Sequence, residues 1–205
     1  ELCIKYIKKL KKIYKNIETL CFFGGEPLLE FEKIAEICEH VTLIDPSIHF
    51  TMITNGSIYN NKIKSLLKLY NFNITVSMDG PEFYHNKTRI MKNNCGSYNI
   101  VSNNIKKMLN DGIPISIQGT LTIDHIDNNF GIIEFAKYIK DKYNISNIHI
   151  VPAQYNINDT KNWSNDLLEK LINSYSNYDI YNIEQILKGN FNNILYSSSF
   201  FDMLI

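Results

Sequence analysis

The sequence lacks the long apolar run of a membrane span or a leader peptide. None of its 205 residues falls in a stretch of about 18 consecutive apolar residues, and the first twelve interleave lysines with apolar residues. An excess of charge is also absent, since 21 basic and 21 acidic side chains cancel. The sequence therefore predicts a cytoplasmic protein with no membrane contact and no basic surface for nucleic acid.

Cysteine is scarce and irregularly placed. The four cysteines are Cys3, Cys21, Cys38 and Cys95. This spacing fits neither a disulfide framework nor a zinc site with paired ligands. We therefore expect reduced thiols and no metal ligands in this chain. Because the chain opens with Glu1 rather than Met, we expect it to be a fragment.

Apolar spacing alternates along the chain between helical and strand periods. A helical stretch precedes each of five predicted strands, at residues 19–23, 48–54, 72–78, 115–121 and 148–151. Such alternation requires crossover connections and a parallel sheet, which defines an α/β fold. Unusual residues follow the strands directly, which favours a partial, incomplete TIM-like parallel βα barrel over a doubly wound sheet. Asn128 is predicted to cap the helix before the last strand.

The pattern changes after Pro152. One helix is predicted around residues 167–175, a short second helix at 183–187, and an aromatic stretch follows. We therefore expect a partial barrel over residues 1–155 and a helical tail or linker over 156–205.

A glycine-rich string follows the first predicted strand. Gly24 and Gly25 would let a ligand approach backbone carbonyls that a Cβ would shield. Pro27 suits the first position of a helix, and Glu26 would either lie near a ligand or brace the loop. A plain strand-to-helix turn with a surface glutamate explains these residues equally well.

A second string follows the third predicted strand. Ser77 and Asp79 share one face of the strand end, and His85 and Arg89 lie four residues apart, so that a short helix would present both on one side. The alternatives are a plain turn, a surface pair between Asp79 and Arg89, and a structural His85. Asn55, which precedes Gly56 after the second strand, is by itself explained by turn chemistry.

Taken together, these strings resemble the radical S-adenosylmethionine superfamily, in the SPASM-type branch of anaerobic sulfatase-maturing enzymes and ribosomal peptide maturases. The shared motifs, in order, are Phe22–Leu28, Thr54–Gly56, Ser77–Arg89 and Gly96–Tyr98. The resemblance covers the chain from Glu1 to about Val151. It implies the partial barrel of the radical SAM core and a peptide or protein substrate.

The resemblance also implies a role for each motif residue. The carbonyls of Gly24 and Gly25 would receive the ammonium group of S-adenosylmethionine, while Ser77 and Arg89 would hold its carboxylate. The strand at residues 117–121 would flank the adenine. Asn55 and Asp79 would lie near the ribose or support the pocket wall, and Glu26 and Pro27 would complete the set of cofactor-binding residues.

In this family a 4Fe-4S cluster on a CxxxCxxC loop donates an electron, and the resulting 5'-deoxyadenosyl radical abstracts a hydrogen from the substrate. No CxxxCxxC motif occurs in this chain, and Cys3 cannot replace three closely spaced thiolates. The resemblance therefore implies a cluster segment upstream of Glu1 and an inactive isolated fragment. It also implies a reductant such as flavodoxin or ferredoxin as a partner.

Two other readings stay open. The chain fits a non-catalytic S-adenosylmethionine-binding or peptide-binding barrel module, which the sequence upstream of Glu1 would distinguish from an enzyme. An ordinary barrel enzyme with a phosphate-binding loop is disfavoured, because Pro152 and Ala153 follow the last strand instead of glycines. The catalytic acid or base is unknown, since Asp124, His125 and Gln154 fit ordinary loop polarity equally well.

Overall fold

The computed structural model describes residues 2–14, 17–154, 164–190 and 194–195. Five parallel strands occur in the sheet order β1-β2-β3-β4-β5, which are β1 (Thr19–Phe22), β2 (His49–Thr54), β3 (Asn73–Ser77), β4 (Ile115–Leu121) and β5 (Ile148–Pro152). The helices of the described residues are α1 (Leu2–Ile13), α2 (Phe31–Ile44), α3 (Asn61–Leu69), α4 (Glu82–Thr88), α5 (Tyr98–Asn110), α6 (Ile123–Asp127), α7 (Ile132–Tyr143) and α8 (Asn165–Leu187), with a 3-10 helix at Pro27–Glu30. The predicted alternation of helices and parallel strands is confirmed.

The chain divides into two compact units. One comprises Glu1–Ser77 and Ile100–Ile115, and the other comprises Met78–Asn99 and Ser116–Ile205. The predicted boundary at residue 155 stays a prediction. Among the described residues, no helix combines the length and apolar character needed to cross a membrane.

The first unit is built on the parallel strands β1, β2 and β3. Thr19 pairs with His49 across β1 and β2, and Thr54 pairs with Val76 across β2 and β3. Alternate residues of β2 and β3 are buried, because successive side chains of a strand point to opposite faces. This pairing brings the carboxyl ends of the three strands to one edge of the sheet, where the predicted glycine and asparagine turns begin.

The second unit pairs β4 with β5 and packs α7 against apolar residues. Gly119 on β4 leaves space for the ring of Phe135, since a Cβ at Gly119 would lie 2.2 Å from the Cζ atom of Phe135. Phe135 and Ile139 of α7 are fully buried. Glycine is therefore required at this position for close packing, which fixes the position of the carboxyl end of β4.

Two details of the helices differ from prediction. Asn128 does not cap α7; it ends the additional helix α6, and its side-chain amide donates to the carbonyl of Asp124. Gly131 precedes α7 instead, and its N–H donates a hydrogen bond to Oε2 of Glu134. Residues 183–187 form the last part of one continuous helix, α8, rather than a second short helix. The aromatic residues predicted to follow, from Phe191 onwards, are Phe191, Tyr196, Phe200 and Phe201, which lie outside the described residues.

Candidate functional site

Gly24 and Gly25 form an exposed turn in the first unit with a backbone that favours glycine. Their φ angles are +107° and +50°, which residues with a Cβ rarely adopt. A Cβ added at either residue would have no neighbouring atom within 4 Å. Within the described residues, their carbonyl oxygens accept no hydrogen bond. The turn therefore presents two open carbonyl acceptors, as a ligand ammonium would require.

Glu26 braces this turn against the end of β2. Its Oε1 atom accepts hydrogen bonds from the hydroxyl of Thr54 (2.7 Å) and from the N–H of Leu28 (3.1 Å), and its Oε2 atom accepts one from the N–H of Asn55 (2.7 Å). Glu26 thus braces the loop, and its position near a ligand stays a prediction. Pro27 is buried at the start of the 3-10 helix. The glycine-rich string and the Thr-Asn-Gly string are one hydrogen-bonded assembly.

Gly56 completes the turn after β2 and is held from α5. Its φ angle is +72°, and a Cβ there would lie 2.7 Å from Cγ1 of Val76. The buried side chain of Asn104 donates to the Gly56 carbonyl at 2.9 Å. The sequence did not predict this role of Asn104, because the residue lies outside the motifs and an asparagine in a helix of an asparagine-rich chain is ordinary. Asn55 itself is exposed, and its side-chain oxygen accepts from the N–H of Ser57 at 2.8 Å.

Ser77 is the half-buried last residue of β3. Among the described residues its hydroxyl has no hydrogen-bond partner. The hydroxyl is therefore open to a ligand, and its contact with a ligand carboxylate stays a prediction.

Asp79 carries a fully engaged carboxylate in the second unit. Only 2% of the residue is exposed. Its Oδ2 atom accepts from Arg89 Nε (2.6 Å) and the Thr88 hydroxyl (3.1 Å), and its Oδ1 atom accepts from Arg89 Nη2 (3.0 Å) and the N–H of Thr120 (2.9 Å). Because the described donors occupy both oxygens, the carboxylate holds Arg89 and the end of β4 in place.

Arg89, the single arginine of the chain, keeps one edge of its guanidinium open. Asp79 takes the Nε–H and one Nη2–H. The other three N–H groups of the guanidinium have no partner in the part of the chain that the structure describes. With 27% of the side chain exposed, the Nη1 and Nη2 edge can bind a second carboxylate in the fork geometry that suits arginine.

His85 is fully buried on α4 and is structural. Its Nδ1 atom lies 3.2 Å from the N–H of Asp79, and its Nε2 atom lies 2.9 Å from the hydroxyl of Ser97, which in turn donates to the Arg89 carbonyl. Burial lowers the pKa of His85 to about 4, although Asp79 acts in the opposite direction. A neutral imidazole here fixes the loop that carries Arg89.

His125 is also fully buried, next to the same aspartate. Its Nε2 atom lies 3.1 Å from the Asp79 carbonyl, and its Nδ1 atom lies 3.1 Å from the N–H of Thr122. Burial lowers the pKa of His125. Asp124 pairs instead with Lys87 at 2.7 Å, and Gln154 is exposed. His125 therefore belongs to the network around Asp79.

The described residues contain no group of three or more histidine, cysteine or acidic side chains that could hold a metal ion. Cys21 and Cys95 are exposed and Cys38 is buried in α2, where burial raises the pKa of its thiol to about 12. Such a thiol stays protonated and is a poor metal ligand. The described residues therefore do not fit an iron-sulfur cluster.

Comparison with known proteins finds one matching family and several related proteins. The model of the Radical SAM superfamily matches residues 1–139. The radical SAM cyclopropyl synthase TigE of Paramaledivibacter caminithermalis is 33% identical over 186 residues, which cover 82% of this chain and 37% of that protein. A cysteine-type anaerobic sulfatase-maturating enzyme of Clostridium novyi is 25% identical over 159 residues, which cover 74% of this chain and 41% of that protein.

A solved structure shows the same fold. Native anSMEcpe with bound AdoMet and Cp18Cys peptide superposes with a TM-score of 0.68 at 20% identity, covering 84% of this chain and 48% of that one. This likeness confirms the predicted fold class, the partial α/β barrel. The chain spans less than half the length of the relatives it matches.

Proposed function

Because the chain belongs to the radical S-adenosylmethionine superfamily, we propose that it binds S-adenosylmethionine as part of an enzyme that modifies a peptide or protein. In the whole enzyme this cofactor would supply the chemistry for removing a hydrogen atom from the substrate. The residues described here would bind and orient the cofactor. The cluster ligands are not among them.

The open guanidinium edge of Arg89 carries the proposal. An amino acid has a carboxylate that needs paired donors and an ammonium group that needs acceptors. In the second unit Arg89 offers three N–H donors beyond those bound to Asp79. In the first unit Gly24 and Gly25 offer two carbonyl acceptors. Each unit thus presents groups of the type that one charged end of the cofactor's methionine part requires.

The remaining motif residues have supporting roles in this proposal. Ser77 would offer a hydroxyl that has no partner among the described residues. Glu26 and Asn55 keep the carbonyl turn rigid, while Asp79 fixes the guanidinium. Rigid placement matters because it lowers the entropic cost of binding. Pro27 contributes through the backbone conformation at the start of its helix.

A peptide or protein substrate is the second part of the proposal. TigE and the maturating enzyme of Clostridium novyi are named for modifying reactions, and the solved structure of anSMEcpe contains a Cp18Cys peptide. These observations support a polypeptide substrate for this chain and favour an enzyme over a binding module. We also propose a small acidic electron donor such as flavodoxin or ferredoxin as its reductant.

Equilibrium binding of S-adenosylmethionine to Arg89→Lys tests the site. Lysine keeps the charge but cannot offer a fork to two carboxylates, so we expect affinity to fall about 10- to 100-fold. Lys87→Gln is the matched control, because Lys87 is a nearby cation whose described partner is Asp124 on the surface. An unchanged affinity in Arg89→Lys would remove the assignment of the carboxylate site.

The enzymatic claim has a separate test. The protein is expressed from its complete gene, reconstituted anaerobically with iron and sulfide, and reduced with dithionite. We expect 5'-deoxyadenosine to form from S-adenosylmethionine. A sample with a filled cluster that binds the cofactor but yields no 5'-deoxyadenosine would instead support the non-catalytic binding module.

A further inference from the structure

Asp79 is held by its main chain as well as by its carboxylate. Its N–H donates to Nδ1 of His85 at 3.2 Å, and its carbonyl accepts from Nε2 of His125 at 3.1 Å. Both imidazoles are fully buried. The residue that fixes Arg89 is therefore bound on two further sides by histidines from α4 and α6.

The protonation state of His125 follows from its partners. The Asp79 carbonyl can only accept, so Nε2 must carry a proton, while the N–H of Thr122 can only donate, so Nδ1 must be unprotonated. His125 thereby takes the position of the glutamate or glutamine in an N-terminal capping box. One tautomer of the neutral ring satisfies both contacts, and the Thr122 hydroxyl, 2.7 Å from Nδ1, can donate to the same atom. In the imidazolium the Thr122 hydroxyl could still accept from Nδ1, but the N–H of Thr122 would lose its acceptor.

The same reasoning applies to His85. The N–H of Asp79 requires an unprotonated Nδ1, which places the proton on Nε2. The Nε2–H group then donates a hydrogen bond to the Ser97 hydroxyl. The Ser97 hydroxyl in turn donates a hydrogen bond to the Arg89 carbonyl at 2.9 Å. His85 therefore connects the main chain of Asp79 with the main chain of Arg89.

We infer that His85 and His125 form a neutral two-histidine clamp that positions Asp79 and, through it, the guanidinium of Arg89 for ligand binding. Both are positioning residues, since neither is assigned a contact with a ligand. The inference rests on the proposed function for the identity of the ligand, but the geometry of the clamp does not depend on it.

The surroundings keep both rings neutral. Tyr84 stacks on His125 with ring centroids 4.1 Å apart, and Tyr98 lies edge-on to His85 at 5.8 Å. Burial is the main cause that lowers the pKa of each histidine. The charged groups that face His125 are Asp79, Asp124 and Lys87, and those that face His85 are Asp79 and Arg89.

Acid would open the clamp. Protonation of Nδ1 of His85 would place a donor against the N–H of Asp79. Protonation of Nδ1 of His125 would place a donor against the N–H of Thr122, with the Thr122 hydroxyl as the described acceptor that remains. The contact would then become repulsive and the loop would shift. Affinity for a carboxylate ligand at Arg89 should consequently fall in mild acid, even though the guanidinium itself stays charged.

Nitrogen NMR on uniformly labelled protein tests the clamp without any ligand. The chain has five histidines and a single arginine, so every signal can be assigned. We expect His85 and His125 to show the Nε2–H tautomer from about pH 8 down to about pH 6, and the three exposed histidines, His40, His49 and His149, are measured beside them in the same spectra. A buried ring that shows the Nδ1–H tautomer, or titrates with the exposed rings, would overturn the inference.

Substitution of His125 links the clamp to Arg89. His125→Phe keeps the packing on Tyr84 but donates nothing, whereas His125→Gln keeps a donor for the Asp79 carbonyl. In His125→Phe we expect the slowly exchanging Arg89 Nε–H signal to be lost and affinity for S-adenosylmethionine to fall about five- to tenfold. We expect His125→Gln to restore most of both, and His149→Gln to change neither.

The outcomes separate the two proposals. If His125→Phe retains the Arg89 signal and wild-type affinity, the clamp is wrong. If the wild-type protein binds no S-adenosylmethionine but shows the expected tautomers and Arg89 signal, the proposed cofactor is wrong and the clamp stands. If His125→Phe does not fold, the tautomers and titration of the wild-type rings decide.

Discussion

Two carboxylates that follow strand ends are held in contrasting ways in the two units. Glu26 in the first unit is half-buried and accepts only from neutral donors, namely two backbone N–H groups and the hydroxyl of Thr54. Asp79 in the second unit is almost fully buried and is paired with the cation of Arg89. The first carboxylate fixes a backbone turn, while the second fixes a side chain that stays partly exposed.

The difference shows where each unit can tolerate change. A carboxylate bound by backbone donors can lose its charge at moderate cost, because amide and hydroxyl donors also bind neutral acceptors. A buried carboxylate paired with a cation cannot, because its removal leaves a charge without its counter-ion. We therefore expect the second unit to be more sensitive to mutation and to pH.

The largest effect is expected for Asp79→Asn. Arg89 would keep its charge but lose its partner, and the 27% exposure of its side chain relieves only part of the cost. We expect a loss of about 3 to 5 kcal/mol in the free energy of unfolding, measured by urea denaturation. Asp124→Asn, which breaks the exposed pair with Lys87, is the control and should cost less than about 1 kcal/mol. Equal losses in the two variants would remove the contrast.

The second prediction concerns pH. Burial lowers the pKa of His85 from its usual 6.5 to about 4, so between these values the unfolded chain binds more protons than the folded one. Stability is therefore full above about pH 6.5 and falls as the pH drops toward 4, by about 3 kcal/mol in total from His85. Urea denaturation across this range measures it. His85→Phe should flatten the profile, and His40→Gln, at an exposed site, should leave it unchanged.

A smaller effect is expected in the first unit. In Glu26→Gln an NH2 group, which donates, replaces one of the two carboxylate oxygens. In one orientation the NH2 group faces the N–H of Asn55, and in the other it faces the N–H of Leu28 and the hydroxyl of Thr54. We expect a loss of about 1 to 2 kcal/mol in the free energy of unfolding, together with faster hydrogen exchange at the Asn55 amide. Glu30→Gln, at an exposed residue whose pair with Lys33 lies on the surface, should stay within about 0.5 kcal/mol of wild type. A loss as large as that of Asp79→Asn would show that the two carboxylates contribute equally to stability.

Some of these features could be predicted from the sequence and others could not. The strands, and the positions of the motifs after them, follow from periodicity and turn residues, so Gly24, Asn55 and Asp79 were correctly expected at strand ends. Whether a polar residue faces a ligand or another protein group depends on contacts that are distant in sequence. The bond from Glu26 to Thr54 spans 28 residues, and that from Asp79 to Thr120 spans 41.

Partners that use the backbone leave no trace in side-chain patterns. The N–H groups of Asn55 and Thr120 complete the two carboxylate sites, and any residue except proline at these positions supplies such a donor. The same holds for the Asp79 carbonyl that engages His125. His125 was therefore indistinguishable in sequence from ordinary loop polarity, and the cap of α7 was misplaced at Asn128 because the extra helix α6 carries only a five-residue pattern.

The smallest effect on stability is expected for Gly25→Ala. This variant tests whether the turn of the first unit binds a ligand or is only structural. The φ angle of +50° makes alanine unfavourable by about 1 kcal/mol, but the added Cβ would have no atom of the described residues within 4 Å beyond its chain neighbours. Gly112 in the same unit also has a positive φ, +72°, and an open Cβ position, so Gly112→Ala should cost about as much stability. If the carbonyls at Gly24 and Gly25 bind an ammonium group, only Gly25→Ala should weaken S-adenosylmethionine binding. Because the backbone strain is matched, equal affinity in the two variants, measured by isothermal titration calorimetry, would show that the turn is structural. The first unit would then contribute a braced loop and no ligand contact at this turn.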